Sequence, residues 1–201
     1  MAENSSDFLN DEEKLFLLKL AREAITFYLR EGQLPAISTD NPELTKKQGA
    51  FVTLKVNDQL RGCIGYPLPF KPLYQTVLEM AIAAATEDYR FPPLSQDELD
   101  KLSIEISVLT RPKKINRPEE VIVGRHGIII SKGYNQGLLL PQVPVENGWD
   151  LETYLSHGCL KAGLSPDEWR RGVNIEVFEA QERALMGGMR GVGFSALLGL
   201  S

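Results

Sequence analysis

The feature that most limits how this chain can fold is a pair of short runs rich in apolar and β-branched residues. They are Gly49-Ala50-Phe51-Val52-Thr53-Leu54-Lys55-Val56 and Leu60-Arg61-Gly62-Cys63-Ile64-Gly65-Tyr66-Pro67, with Asn57-Asp58 between them. Such runs bounded by turn formers read as two strands of a hairpin. Asn-Asp tolerates the positive φ angles of a tight two-residue turn. A two-residue turn sets Val56 opposite Gln59, Leu54 opposite Arg61 and Val52 opposite Cys63. Arg61 and Cys63, two apart on one strand, then share a face. A guanidinium beside a thiol favours the nucleophilic thiolate. Gly62 and Gly65 carry no side chain, so a ligand or another backbone can come close. The competing account is a small buried cysteine packed in a sheet.

The rest of the chain supplies helices to cover that hairpin. Asn10 caps a helix that begins with Asp11, Glu12 and Glu13 and carries an apolar stripe from Leu15 to Leu29, ended by Gly32. Residues 33–48 read as an irregular connection. A second helix over 72–87 has Leu73, Val77, Met80, Ala81 and Ala84 on one face. Ser95-Gln96-Asp97-Glu98 is a capping-box pattern for a short helix to about Lys101. Leu102 to Thr110 alternates apolar and polar residues, as a half-buried strand does.

Residues 111–119 read as a basic, Pro-rich link, and 121–143 as a meander or hairpin. A helix is expected over 149–162, a short one around Trp169, and a last strand over 173–178. These elements imply an α+β fold, a mainly antiparallel sheet with flanking helices. We expect a single domain over residues 1–184, with a small lobe at about 111–148 and a Gly-rich tail over 185–201.

Composition excludes several functions. The chain has 201 residues and a net charge of −5, which argues against a broad basic surface for nucleic acid. No apolar run approaches the roughly 18–20 residues of a membrane span. Two cysteines and no signal peptide point to a reducing, cytoplasmic setting. Cys63, Cys159, His126 and His157 form no metal-ligand spacing, so no metal is expected. There is no Walker loop, Rossmann glycine pattern or G-x-S-x-G, so no cofactor is expected either.

Several polar residues have two readings each. Glu105 and Ser107 belong either to an exposed strand face or to a cleft lining. Asp88 and Arg90 form either a local ion pair at a helix end or a polar rim to the site of Cys63. Gln142 and Trp149 fit either ligand binding in a loop or packing at a helix start. His157 is either a helix-end residue or the base that a cysteine nucleophile would need.

Six blocks in order resemble the AMMECR protein family, of the AmmeMemoRadiSam system protein A type. The most specific is Leu60-Arg61-Gly62-Cys63-Ile64-Gly65. The others are Gly49 to Leu54, Ala83-Ala84-Ala85 with Asp88-Tyr89-Arg90-Phe91-Pro92, Ile104 to Thr110, Gly137 to Val143 with Trp149, and Cys159 to Leu164. Relatives usually carry proline at the place of Tyr89, so this chain lacks one stiffener of that turn. The resemblance implies a larger and a smaller lobe with a cleft between, lined by the signature. It also implies a shared pathway with Memo-type and radical-SAM proteins. On this basis Cys63, Arg61, Glu105 and His157 are the candidate catalytic residues. Gly62, Gly65, Asp88, Arg90, Gln142 and Trp149 are the candidate substrate-binding residues. The expected activity is that of a cysteine-centred enzyme or enzyme component. The alternative is an adaptor that binds a protein or RNA partner through the same cleft.

Overall fold

The computed structural model describes residues 9–185. They form two compact units, one running to Val108 and resuming at Glu182, the other spanning Leu109–Gln181.

In the first unit, helix α1 (Asp11–Glu31) starts at a reciprocal cap. Asn10 accepts the Glu13 backbone N–H at 2.9 Å, and Glu13 accepts the Asn10 N–H at 2.9 Å. Gly32, at φ 68°, ends it and donates its N–H to the Tyr28 carbonyl. The connection read as irregular contains one turn of helix, α2 (Pro42–Thr45), because Asn41 caps it. Strands β1 (Ala50–Val56) and β2 (Gln59–Tyr66) form the expected hairpin, with Asn57 and Asp58 both at positive φ. Helix α3 (Leu73–Thr86) follows, then a 3-10 turn at Gln96–Lys101 and strand β3 (Leu102–Leu109).

A final strand, β8 (Ala180–Leu185), completes a sheet of order β2-β1-β3-β8. Sequence reading had placed the last strand before it. Ala50, Val52 and Leu54 of β1 and Ile104 and Ile106 of β3 point into one core with the apolar faces of α1 and α3. The alternate residues Phe51, Thr53, Lys55, Glu105 and Ser107 lie on the opposite face and are half-buried.

The second unit has its own antiparallel sheet, order β4-β7-β5-β6. Its strands are β4 (Lys113–Ile115), β5 (Gly127–Lys132), β6 (Asn135–Leu139) and β7 (Asn174–Phe178). The stretch read as a solvated link thus holds β4, which pairs with β7. The Val121 run is not a strand. Arg125 and His126 both donate backbone N–H groups to the Ile122 carbonyl, and Ile122 donates its own to His126 Nδ1 at 3.1 Å, closing a turn through Gly124 at φ 85°.

Two helices complete this unit, α4 (Gln142–Glu146) and α5 (Leu151–Lys161). Helix α5 lies on β5 and β6 at two glycines. A Cβ on Gly158 would sit 2.8 Å from Ile130, and one on Gly137 would sit 2.4 Å from the Ala162 backbone. The buried Tyr154 hydroxyl donates toward the carbonyls of His126, Leu139 and Leu140 at 3.1, 3.2 and 3.3 Å. The Gly-rich tail from Met186 lies outside the described residues.

Candidate functional site

The site is set by an irregularity in the hairpin. Lys55 pairs with Leu60, yet Leu54 pairs with Gly62, so Arg61 is an extra residue on β2 with no partner on β1. A bulge of this kind shifts the register beyond it. Cys63 therefore faces Thr53, not Val52, and Arg61 does not face Leu54. Gly62 turns inward, where an added Cβ would lie 2.0 Å from the Ala84 carbonyl oxygen of α3. The close approach expected at Gly62 is that of a helix backbone. Gly65 is likewise filled by its own chain, with the Phe51 ring 2.4 Å from where its Cβ would be.

Cys63 consequently points to the face away from the helices and is half-buried. The Thr53 hydroxyl lies 3.2 Å from its Sγ. Thr53 in turn pairs with Glu105 on β3. Thiol, hydroxyl and carboxylate thus form one row across three strands, and the Lys55 ammonium sits 2.5 Å from Glu105. Thr53 was not singled out from the sequence. The alternation in Phe51-Val52-Thr53-Leu54 marks its face, but only the bulge sets it opposite Cys63.

β2 is an edge strand, and its outer side at Cys63 is closed by the turn after α3. The Cys63 N–H donates to Asp88 at 2.8 Å, and Arg90 Nη2 donates to the Cys63 carbonyl at 3.3 Å. Arg90 also holds Asp88 through Nε at 2.9 Å, Nη2 at 2.7 Å and its backbone N–H at 3.2 Å. The pair stands in for a missing neighbouring strand and satisfies groups that an edge leaves open. The Arg90 hydrogen bond holds the Asp88 carboxyl far below the usual carboxylate range, against the opposing effect of burial. The turn keeps this geometry with Tyr89, 95% exposed, between the two residues. Backbone and side-chain bonds fix Asp88 and Arg90 without a proline.

Arg61 is committed elsewhere. It donates to Glu98 from Nε at 2.7 Å and from Nη2 at 3.0 Å, to the Pro92 carbonyl at 2.6 Å and to the Pro93 carbonyl at 3.2 Å. Arg61 brings the Glu98 carboxyl down to about 2, helped by the Ser95 N–H and hydroxyl. Glu98 was legible as a capping residue, and it caps. Its second role, neutralising Arg61, joins residues 37 apart and leaves no local trace in the sequence.

Gln142, Trp149 and His157 belong to the second unit. Gln142 opens α4 and is exposed, where sequence reading had a loop. Trp149 stacks on His157 with ring centroids 3.9 Å apart and planes 9° from parallel. The Trp149 N–H donates to the Pro144 carbonyl at 2.8 Å, tying α4 to the start of α5.

The sequence profile of the AMMECR1 family matches residues 18–183, which include the hairpin, the Asp88–Arg90 turn and both sheets. The chain belongs to the AMMECR1 family. Among its relatives, the protein MK0488 of Methanopyrus kandleri is 52% identical over 180 residues, covering 85% of this chain and 87% of its own. The protein MJ0810 of Methanocaldococcus jannaschii is 48% identical over 179 residues, covering 85% and 89%. The crystal structure of PH0010 from Pyrococcus horikoshii matches with a TM-score of 0.74 and 45% identity, over 88% of this chain and 93% of that one. PH0010 is described as an uncharacterized protein, so it supports the AMMECR1 fold and carries no activity across. Among the described residues, no helix is long and apolar enough to cross a membrane.

Proposed function

We propose that this AMMECR1 protein is a cysteine-centred enzyme or enzyme component, with Cys63 as its nucleophile. The observation that carries this reading is the setting of one sulfur. Cys63 is half-exposed, has a hydroxyl at 3.2 Å, and has both polar atoms of its own peptide held by Asp88 and Arg90. A fixed backbone and a hydrogen-bonding neighbour are what a nucleophilic thiol needs. Thr53 and Glu105 continue the polar row and are the groups placed to orient it. Cys159 is the internal contrast, since it is fully buried and burial pushes its thiol up.

Alkylation read separately at the two cysteines tests the reading, from about pH 5 to about pH 10, a range that brackets the ordinary thiol. Cys63 should be modified readily and Cys159 only on unfolding. Thr53→Val should change the Cys63 rate profile while leaving the fold intact. A Cys63 as inert as Cys159 across the range would sink the proposal.

A second reading has its own observation. Leu60, Tyr66, Phe70 and Tyr89 are exposed at 42, 37, 65 and 95%, all of them on β2 or in the segments that follow it. Exposed apolar side chains of this size are what a partner protein would cover. The family resemblance makes Memo-type and radical-SAM proteins the partners to try. Copurification that survives Cys63→Ala but fails with Phe70→Ser and Tyr89→Ser would favour this adaptor reading.

A further inference from the structure

Three ion pairs involve the hairpin that carries Cys63 or the turn that clamps it, and they differ in which charge faces solvent. In Arg61–Glu98 the side chains are 14 and 26% exposed, so the carboxylate is the more open member. In Lys55–Glu105 the two are nearly equal, at 33 and 38%. In Arg90–Asp88 the guanidinium is 43% exposed and the carboxylate 2%. Each pair is close to neutral, but only the last presents a cation outward over a hidden anion.

Asp88 is also saturated. One of its oxygens takes the Arg90 backbone N–H and Nε, and the other takes the Cys63 N–H and Arg90 Nη2. Nη1 of Arg90 makes no protein hydrogen bond among the described residues, so its two N–H groups remain for a ligand. Arg61, by contrast, spends all three nitrogens on Glu98, Pro92 and Pro93. Of Arg61 and Arg90, Arg90 is the one that contacts Cys63 and the one with capacity left. Free guanidinium N–H groups are charged donors suited to carboxylate and phosphate oxygens.

We infer that the substrate of Cys63 is a small anionic electrophile whose carboxylate or phosphate is received by Arg90. This rests on the reading of Cys63 as a nucleophile. It names what that reading left open, the charge of the substrate, and gives the anion contact to Arg90. Because Arg90 holds the carbonyl of Cys63 itself, the anionic group lies close to the reacting carbon. Asp88 acts as the positioning residue that fixes the guanidinium.

Two alkylating agents of similar size and opposite character test it. Iodoacetate carries the anion and iodoacetamide does not. Their rate ratio at Cys63 should exceed the ratio for free cysteine, by at most about five-fold, the effect of one unpaired charge about 4 Å away in water, which Asp88 offsets in part. Arg90→Gln should return the ratio to the free-thiol value, and added salt should lower it in the unaltered protein. Inorganic phosphate should slow iodoacetamide at Cys63 in the unaltered protein, which keeps the test open if the variant misfolds. A Cys63 that reacts with both agents at the free-thiol ratio, and is not protected by phosphate, overturns the anionic substrate alone. A Cys63 that reacts with neither overturns the nucleophile reading and this inference with it.

Discussion

Asp88 is the residue on which the geometry of Cys63 depends most. It is 3% exposed, and it accepts an N–H that the edge strand would otherwise leave without a protein partner. Asp88→Asn keeps the shape but removes the charge and offers an amide donor toward Arg90. The variant should lose about 1–3 kcal/mol in urea unfolding, the cost of unmaking a buried charged hydrogen bond. A loss below about 0.5 kcal/mol, the ordinary surface range, would show that the clamp is dispensable. Acid should act through the same groups. Glu98 is held at about 2 against an ordinary 4.5, and Asp88 is depressed from its ordinary 3.8. A carboxyl depressed in the folded state adds stability above its unfolded value and loses it as pH falls through the folded one. Stability of the first unit should therefore be level above about pH 5 and decline below it, and Glu98→Gln should flatten the part of the decline between 4.5 and about 2. The candidate residues Cys63, Asp88 and Arg90 were legible from their blocks. That Asp88 binds the Cys63 peptide was not, because a bond between residues 25 apart has no local signature.

At the scale of elements, the contact of α3 with β2 decides where the thiol points. Gly62 lets the Ala84 backbone come against the strand, and the bulge at Arg61 turns Cys63 to the opposite face. Gly62→Ala would place a methyl group 2.0 Å from a backbone oxygen that has no rotamer to escape by. It should cost about 1–3 kcal/mol, toward the upper end because a helix must move. It should also slow Cys63 alkylation by disturbing the Asp88 clamp. If stability and alkylation both stay within error, α3 has room that the geometry does not show. Helices α1, α3 and α5 and the hairpin follow from apolar period and caps. The elements that were misread are short. Strand β4 has three residues, and Lys113 and Lys114 in it carry no strand signal until β7 pairs with them. The Val121 run has strand composition, yet Gly124 and the His126 side chain close it into a turn.

For the whole molecule, each unit has its own sheet and its own apolar cluster. Local damage should therefore be read locally. Tyr154→Phe strips a donor from three carbonyls in the second unit and should cost about 1–3 kcal/mol. Amide exchange should accelerate in residues 109–181 before it does in β1, β2 and β3. Equal acceleration in both units would mean that they open as one. The sequence by itself determined the α+β class, the hairpin, the main helices and the family, because these rest on short-range period, caps, turn residues and an ordered set of motifs. Only the tertiary structure decided which atoms meet at Cys63. One bulged residue reverses the facing of the strand beyond it, and chain segments far apart in sequence supply the carboxylate that claims Arg61 and the Asp88–Arg90 pair that holds the Cys63 peptide. Neither a register shift nor a long-range ion pair is encoded in the spacing of neighbouring residues, so the chemistry around the thiol became visible only once the chain was folded.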